Sequence, residues 1–359
     1  MDVKRKSYPA LEACTYLNTA ACGLISDTTL KAMQSFNTDF LHQGSKAAEN
    51  WMMNEWESAR KEVSAFVGAQ VSETVLVPSF SFAYNALIES IGKKKVLVYE
   101  NDYPSLLLPL QLKEFELYTF SGIDNFSFDY EAIERQIEQE NIEFLIISHV
   151  QYRTGYKADL DRLGQLCASK KIHLIVDATQ SAGAVEINFK NSKIDALIWS
   201  NYKWINGGLG TGSMCVKTDF LHKFEPKIGG YGSYEFEEGA LVYRPSIKSF
   251  QPSHPNVAGY EAMRNAIREK AQLGIKSIEK YNSDLLQYLL DALQHKKSTI
   301  IGDYSAKSRA GYFCMPYEAE QFEVLKQNNI VVTFREGSIR VGVHFYNTKE
   351  DVDRFLEFV

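Results

Sequence analysis

Between residues 74 and 199, short apolar runs alternate with longer stretches whose apolar positions recur every three or four residues. The runs fall at 74–77, 96–99, 115–120, 144–148, 172–177 and 196–199, and another follows at 213–216. Their length and mostly apolar character predict strands, the more continuous of them buried on both faces. Between them, Phe82, Ala86, Leu87 and Ile91 mark a helix that opens at Pro78-Ser79-Phe80-Ser81 and stops at Gly92. Helices are also predicted after Asn101-Asp102-Tyr103-Pro104-Ser105, over 128–139 and over 160–169. Strands alternating with helices in this way form a mostly parallel sheet covered on both sides.

The flanks read differently. Ser26 and Asp27 can cap a helix running to about Leu41, and Trp51, Trp56, Ala59, Val63 and Phe66 lie at helical spacing over 48–67, ahead of Gly68. Residues 228–255, rich in Gly, Tyr, Pro and Glu, resist assignment. A long helix is predicted over 256–281 and a second to about Leu293. Strands near 311–315, 330–334 and 338–343, with helices near 318–327 and 349–358, predict a smaller α+β unit. The chain thus divides into an N-terminal segment (1–27), a large unit (28–255) and a small unit (256–359).

Ligands of an open parallel sheet sit at the carboxyl ends of its strands. Ser79, Tyr103, Gln151, Asp177 and Ser200 each follow or cap such an end, which points to one site. The stretch Ser200-Asn201-Tyr202-Lys203-Trp204-Ile205-Asn206-Gly207-Gly208 adds a lysine between aromatic residues. A lysine shielded from water shifts toward its neutral, nucleophilic form, whose usual use is a Schiff base to an aldehyde. Taken alone, a lysine beside aromatic residues is more often a surface residue whose stem lies on a ring.

Composition narrows the classes. With 45% hydrophobic and 23% charged residues, the chain is ordinary for a soluble globular protein. A net charge of −6 without a basic block argues against nucleic acid as a partner. The five cysteines are scattered and the seven histidines lack ligand spacing, so neither a disulfide framework nor a metal site is expected. No apolar run reaches membrane-spanning length, and residues 1–10 lack the apolar core of a secretory signal. A cytoplasmic protein is expected.

Pyridoxal 5′-phosphate needs a lysine for its aldehyde and a carboxylate for its ring nitrogen. It also needs a helix N-terminus for its phosphate and an aromatic for its ring face. Lys203, Asp177, the Ser79-Phe80-Ser81 helix start and Tyr103 supply these in turn. An amino-acid substrate adds a carboxylate that suits a bidentate arginine, and Arg340 is a charge inside an apolar strand. Each part has a plainer reading. Asp177 is also read as a helix cap or metal ligand, Ser79 as a simple N-cap, Tyr103 as core, and Arg340 as half of an internal ion pair.

Together these motifs resemble the class V aminotransferase family of fold-type I pyridoxal-phosphate enzymes, which includes cysteine desulfurases, kynureninases and isopenicillin-N-epimerase-like proteins. The resemblance runs from Tyr16-Leu17-Asn18-Thr19-Ala20-Ala21 to Phe345-Tyr346-Asn347-Thr348. Its strongest pieces are Asp177-Ala178-Thr179-Gln180, Lys203-Trp204-Ile205-Asn206-Gly207-Gly208 and the stretch from Arg340 to Thr348. It implies an α/β fold: a large, mostly parallel sheet domain with helices on both faces and a smaller α+β C-terminal domain. It implies Lys203 as the Schiff-base lysine that also moves the substrate's α-proton, Asp177 as the partner of the pyridinium nitrogen, and Gln180 as a partner of the phenolic oxygen. Tyr103 falls where the family stacks a histidine or aromatic on the ring. Ser79, Ser200 and Phe80, the last through its backbone N–H, would hold the phosphate. Tyr202 stands where desulfurases have a phosphate-binding histidine and kynureninases a tyrosine. Tyr152, within Gln151-Tyr152-Arg153-Thr154-Gly155, joins the cofactor-binding set. His254 falls where the family often places a threonine that reaches the phosphate bound by the other subunit. Arg340, assisted by Arg335, would bind the substrate carboxylate. Sites in this family form between subunits, so a homodimer is implied.

Desulfurases of the family carry a nucleophilic cysteine on a loop shortly before the carboxylate arginine. Here the stretch from Val331 to Arg340 contains no cysteine, and Cys314 lies in an earlier predicted strand. Persulfide chemistry is disfavoured and transamination of a small amino acid is expected. Lyase, hydrolase or epimerase chemistry is the alternative, with a non-catalytic relative as a further one.

Overall fold

The structure, a computed structural model, describes residues 5–244 and 246–359; residues 1–4 of the expected N-terminal segment lie outside it. Strand β1 (Thr15–Tyr16) stands apart from the central sheet. That sheet has seven strands: β2 (Thr74–Val77), β3 (Lys95–Tyr99), β4 (Glu116–Phe120), β5 (Phe144–Ser148), β6 (His173–Asp177), β7 (Ala196–Ser200) and β8 (Gly212–Val216). Their order is β2-β8-β7-β6-β5-β3-β4, and all run one way except β8.

The helices around it are α1 (Asp27–Gln43), α2 (Trp56–Val67), α3 (Phe80–Ile91), α4 (Pro104–Leu112), α5 (Tyr130–Glu140), α6 (Leu160–Lys170) and α7 (Val257–Leu273). Alternation along the strands divides their side chains between two cores. Leu76, Leu97, Leu145, Leu174, Val176, Leu197 and Trp199 pack on the side of α2, α5, α6 and α7. Val75, Val77, Val98, Ile146, Ile175 and Ile198 pack against α3 and α4. Register then aligns the strand ends. Ser148 lies opposite Asp177, and Gly212 lies between Ser200 and Val77. Helix α3 starts at this same edge, where the Ser79 hydroxyl accepts from the Phe82 amide at 3.2 Å.

Helix α7 adds Val257, Tyr260, Met263, Ala266 and Ile267 to the large core. A further helix, α8 (Ile275–His295), carries Leu285, Leu286, Leu289, Leu290 and Leu293 into a separate small core. That core also contains strands β11 (Tyr312–Pro316), β13 (Thr333–Arg335) and β14 (Ser338–Gly342), in the antiparallel order β11-β14-β13. Helices α9 (Ala319–Gln327) and α10 (Lys349–Leu356) cover it through Leu325, Val352 and Phe355. β12 (Ile330–Val331) pairs in parallel with β1, tying the start of the chain to the small core.

Three expectations about elements are corrected. The helix expected over 256–281 ends at Leu273, because Gly274 takes φ +79° and the chain restarts as α8. The helix expected over 48–67 is broken by a π-helical turn at Trp51–Glu55. The run expected over 330–334 splits at Val332, so that β12 and β13 serve different partners. The unassigned 228–255 stretch contains a hairpin, β9 (Tyr234–Glu237) and β10 (Ala240–Tyr243), turning at Glu238 and Gly239 with φ of +50° and +86°. Among the described residues no helix is long and apolar enough to cross a membrane.

Candidate active site

The strand ends and the α3 N-terminus enclose a cleft of about 130 Å³, lined by Ser79, Phe80, Tyr103, Tyr152, Asp177, Gln180, Ser200, Tyr202 and Lys203 among others. All nine of those residues were picked from the sequence. Arg335 and Arg340 line a second pocket of about 80 Å³, which shares Tyr152 with the first. Arg340 donates from Nη1 to the Tyr152 carbonyl at 3.3 Å. His254 is exposed and lines neither pocket. Within this chain it is therefore not brought into either pocket.

Lys203 is 6% exposed. Its Nζ lies 5.6 Å from the centre of the Tyr103 ring and 5.7 Å from that of Tyr202. It makes no hydrogen bond or ion pair among the described residues. Burial is the largest influence on this lysine and lowers its pKa; Arg340 lowers it further, while Asp177 opposes both. Asp177 is pushed the other way, up from the ordinary carboxylate range, again mainly by burial, with hydrogen bonds from Thr179 opposing. A cation placed against Asp177 would hold it ionised.

The loop bearing Lys203 is held from below. Asn206 takes φ +64° and donates its amide N–H to the Lys203 carbonyl at 3.1 Å. Its Nδ2 donates to the Leu24 carbonyl at 2.8 Å, and its Oδ1 accepts from the buried Lys270 Nζ at 2.6 Å. The same Oδ1 lies 3.1 Å from His344 Nε2, so His344 donates there and accepts from Asn282 through Nδ1. From the other side Gly23 donates to the Tyr202 carbonyl at 2.8 Å. A Cβ on Gly23 would stand 1.9 Å from the Lys203 oxygen.

The remaining parts fit pyridoxal phosphate. Ser200 Oγ accepts from the Phe80 amide at 2.9 Å, and Ser79 Oγ from Phe82. Each hydroxyl therefore keeps its own hydrogen for an anion at the α3 N-terminus, where the helix dipole also favours negative charge. Gln180 donates to the Ala20 carbonyl and accepts from Trp204 Nε1, at 2.9 and 2.8 Å, leaving one amide hydrogen for a ring oxygen. Arg340 Nε is buried without a hydrogen-bond partner, and no ion pair occupies its guanidinium among the described residues. The internal-ion-pair reading of Arg340 is thereby corrected, since among the described residues no carboxylate lies within ion-pair distance of it and Glu336 of the same pocket is paired with Arg153.

Sequence reasoning missed two groups. Thr179 lines the cleft, donates its amide to Asp177 at 2.8 Å and accepts from the Ser200 amide at 3.2 Å. Asp102 is buried beneath Tyr103 and accepts from the amides of Tyr103 and Ser148 and from the side chains of Ser148 and Gln151. Gln151, whose position suggested a ligand, thus supports Asp102. An acid directly before Tyr103-Pro104 and after a strand was a partial signal for Asp102, though not for the partners that give it its role.

The sequence profile of the class-V aminotransferases matches residues 15–355, and the chain belongs to that family. It is 27% identical to the uncharacterized aminotransferase YcbU of Bacillus subtilis, over 98% of this chain and 95% of that one. It is 25% identical to a probable cysteine desulfurase of Pyrococcus abyssi, with the same coverage. A kynureninase of Shouchella clausii is 24% identical over 95% of this chain and 86% of its own length. In structure, the apo cysteine desulfurase of Thermococcus onnurineus NA1 superposes with a TM-score of 0.89 at 24% identity, covering 98% of this chain and 95% of that one. The cystine C–S lyase C-DES, in complex with cysteine persulfide, gives 0.88 at 16% identity over 98% of each. The protein has the fold of type I pyridoxal-phosphate enzymes and is itself a pyridoxal-phosphate-dependent enzyme acting on amino acids.

Proposed function

We propose that the protein is an aminotransferase of a small amino acid. The observation that carries this reading is the meeting of Lys203, Asp177 and the α3 N-terminus in one cleft, beside a pocket holding Arg340. When bound, the cofactor supplies an electrophilic aldehyde and a ring that accepts electrons. Lys203 Nζ would hold that aldehyde, and its lowered pKa favours the neutral amine that such a bond requires. Freed of that bond, the same Nζ would serve as the base that holds and moves the substrate's α-proton. Asp177 keeps negative charge against the ring nitrogen. The Ser79 and Ser200 hydroxyls would hold the phosphate at the α3 N-terminus, the expected Phe80 amide being given instead to Ser200 Oγ; Tyr103 would cover the ring, and Arg340 would orient the substrate's α-carboxylate.

Transamination is favoured over persulfide transfer by the tight Glu336-Gly337 turn between β13 and β14, which holds no cysteine. Burial pushes the Cys314 thiol up to about 11, which keeps it protonated and inert near neutral pH. We further infer a homodimer. Phe236 and Leu241 on the hairpin are 72% and 65% exposed, an apolar surface suited to a second copy. Gly232 donates to the Pro252 carbonyl at 3.1 Å, tying the hairpin base to the segment that carries His254. A dimer formed there would let His254 reach the phosphate site of the other subunit. The free, scattered cysteines suit a reducing, cytoplasmic setting.

The test is the absorbance of the purified holoenzyme with single amino acids and no oxo acid. One amino acid should bleach the visible band, and an oxo acid should restore it. Lys203→Ala should leave cofactor that borohydride cannot fix to the protein, and no turnover. A band that persists while the amino acid is cleaved or racemised would overturn transamination. Activity retained by Lys203→Ala would overturn the role of Lys203.

A further inference from the structure

We propose that the pocket beside the Lys203 cleft selects an amino acid with a short acidic side chain, whose α-carboxylate meets Arg340 and whose side-chain anion meets Arg335. The proposal rests on the reading of the Lys203 cleft as the substrate site. It begins with strand alternation. Thr333 lies opposite Arg340 and Arg335 opposite Ser338, while Cys314 lies opposite Arg340 on the other flank. Directly opposed residues share a face, as do residues two apart on one strand. Cys314, Arg340, Ser338, Thr333 and Arg335 therefore share one face of the small sheet, and all of them line the 80 Å³ pocket. Phe313, Ile339 and Val341 take the opposite face, into the small core.

On the pocket face the two arginines are diagonal neighbours, at a spacing of about 7–8 Å between backbones. Like charges so placed repel. Neither forms an ion pair among the described residues, and Arg340 Nε is buried without a partner. The nearby carboxylate at the pocket rim, Glu336, is taken up by Arg153, which also lines the pocket. That exposed pair cancels its own charge and leaves the two arginines uncompensated. One substrate carboxylate neutralises one of them. A second anionic group neutralises the other, through charge-assisted hydrogen bonds of the kind a guanidinium makes best. The influence of both arginines on Lys203 points to their closeness to the reacting end of the site. The diagonal spacing of the two arginines suits the two anionic groups of one short amino acid.

Two measurements test this. The first compares kcat/KM of the holoenzyme for L-aspartate, L-glutamate and O-phospho-L-serine with that for L-asparagine and L-glutamine, which match the first two in shape and lack the charge. At least one acid should exceed its neutral counterparts by about tenfold or more, and Arg335→Gln should collapse that ratio. The second is calorimetric binding of maleate and succinate against butyrate to the cofactor-free protein, which needs no turnover. The dicarboxylates should bind more tightly, and Arg335→Gln should erase the difference. Arg335 is exposed, so its replacement leaves the fold intact. Amides used as well as acids, or a ratio unchanged in Arg335→Gln, would overturn the proposal. A holoenzyme that binds cofactor yet prefers neutral amino acids defeats this inference alone, whereas a protein that takes up no cofactor defeats the reading beneath it. Preference for the phosphate ester over the carboxylates would identify the second anion as phosphate.

Discussion

In its proposed role Lys203 reacts as a neutral amine from inside the protein. Burial disfavours its ammonium form, and Arg340 adds repulsion, against a smaller pull from Asp177. Its pKa therefore lies below the ordinary lysine value of about 10.4. Capture of pyridoxal phosphate by the apoprotein needs the neutral amine. Its rate should climb with pH through the lowered pKa and level off before that ordinary value is reached. Arg340→Met removes a downward influence and should move the climb to higher pH. Rapid-mixing absorbance across a pH series checks both; superimposable profiles would mean that Arg340 is not felt at Nζ. Lys203, Asp177, Ser79 and Tyr103 were legible from the chain because each sits where a strand stops, and the carboxyl edge of a parallel sheet is a place defined by sequence order. Thr179 and Asp102 were not, because their worth lies in partners that only register brings near, such as Ser148 beside Asp102. The two arginines were visible singly. Their common face needed the pairing of β13 with β14.

At the scale of elements, the Lys203 loop is gripped between the Gly23 segment and the Asn206–Lys270–His344 contacts. Gly23→Ala should force the loop and the N-terminal segment apart, since no rotamer relieves a clash between a Cβ and a backbone oxygen. The expected cost is about 1–3 kcal/mol or more. Thermal unfolding should show it, and the cofactor should be held more weakly than in the parent; unchanged stability and retention would mean that the two segments move freely. The inner strands of the central sheet were readable because each is apolar on both faces and bounded by turn residues; the edge strand β4, with Glu116 and Thr119 exposed, was readable from its aromatic and β-branched residues. The break at Gly274 was hidden by helical periodicity that continues from α7 into α8. The hairpin at 234–243 did carry a signal, a Glu-Gly pair between alternating aromatic and acidic residues, but its outward faces bury nothing in this chain and so leave no core pattern.

At the scale of the molecule, the proposed homodimer places a second copy against the exposed Phe236 and Leu241 of the hairpin. Sedimentation should give a dimer mass for the wild-type protein. Phe236→Asp combined with Leu241→Asp should shift it toward monomer and loosen the cofactor, since His254 would no longer be supplied across the interface. A wild-type monomer with full activity would refute this. The sheet order has a consequence of a different kind. Strand β2, buried along its whole length, has β8 as its sheet neighbour, and β1 has β12 near the far end of the chain. On a ribosome adding about 5–20 residues per second, β2 waits of order ten seconds for its neighbour, and β1 waits longer. During that interval three apolar residues, a threonine and an open strand edge stand exposed in the nascent chain. The order of the strands thus sets a clock on biosynthesis: the site cannot close until nearly all of the protein has been made, and the earliest part to emerge needs shelter longest.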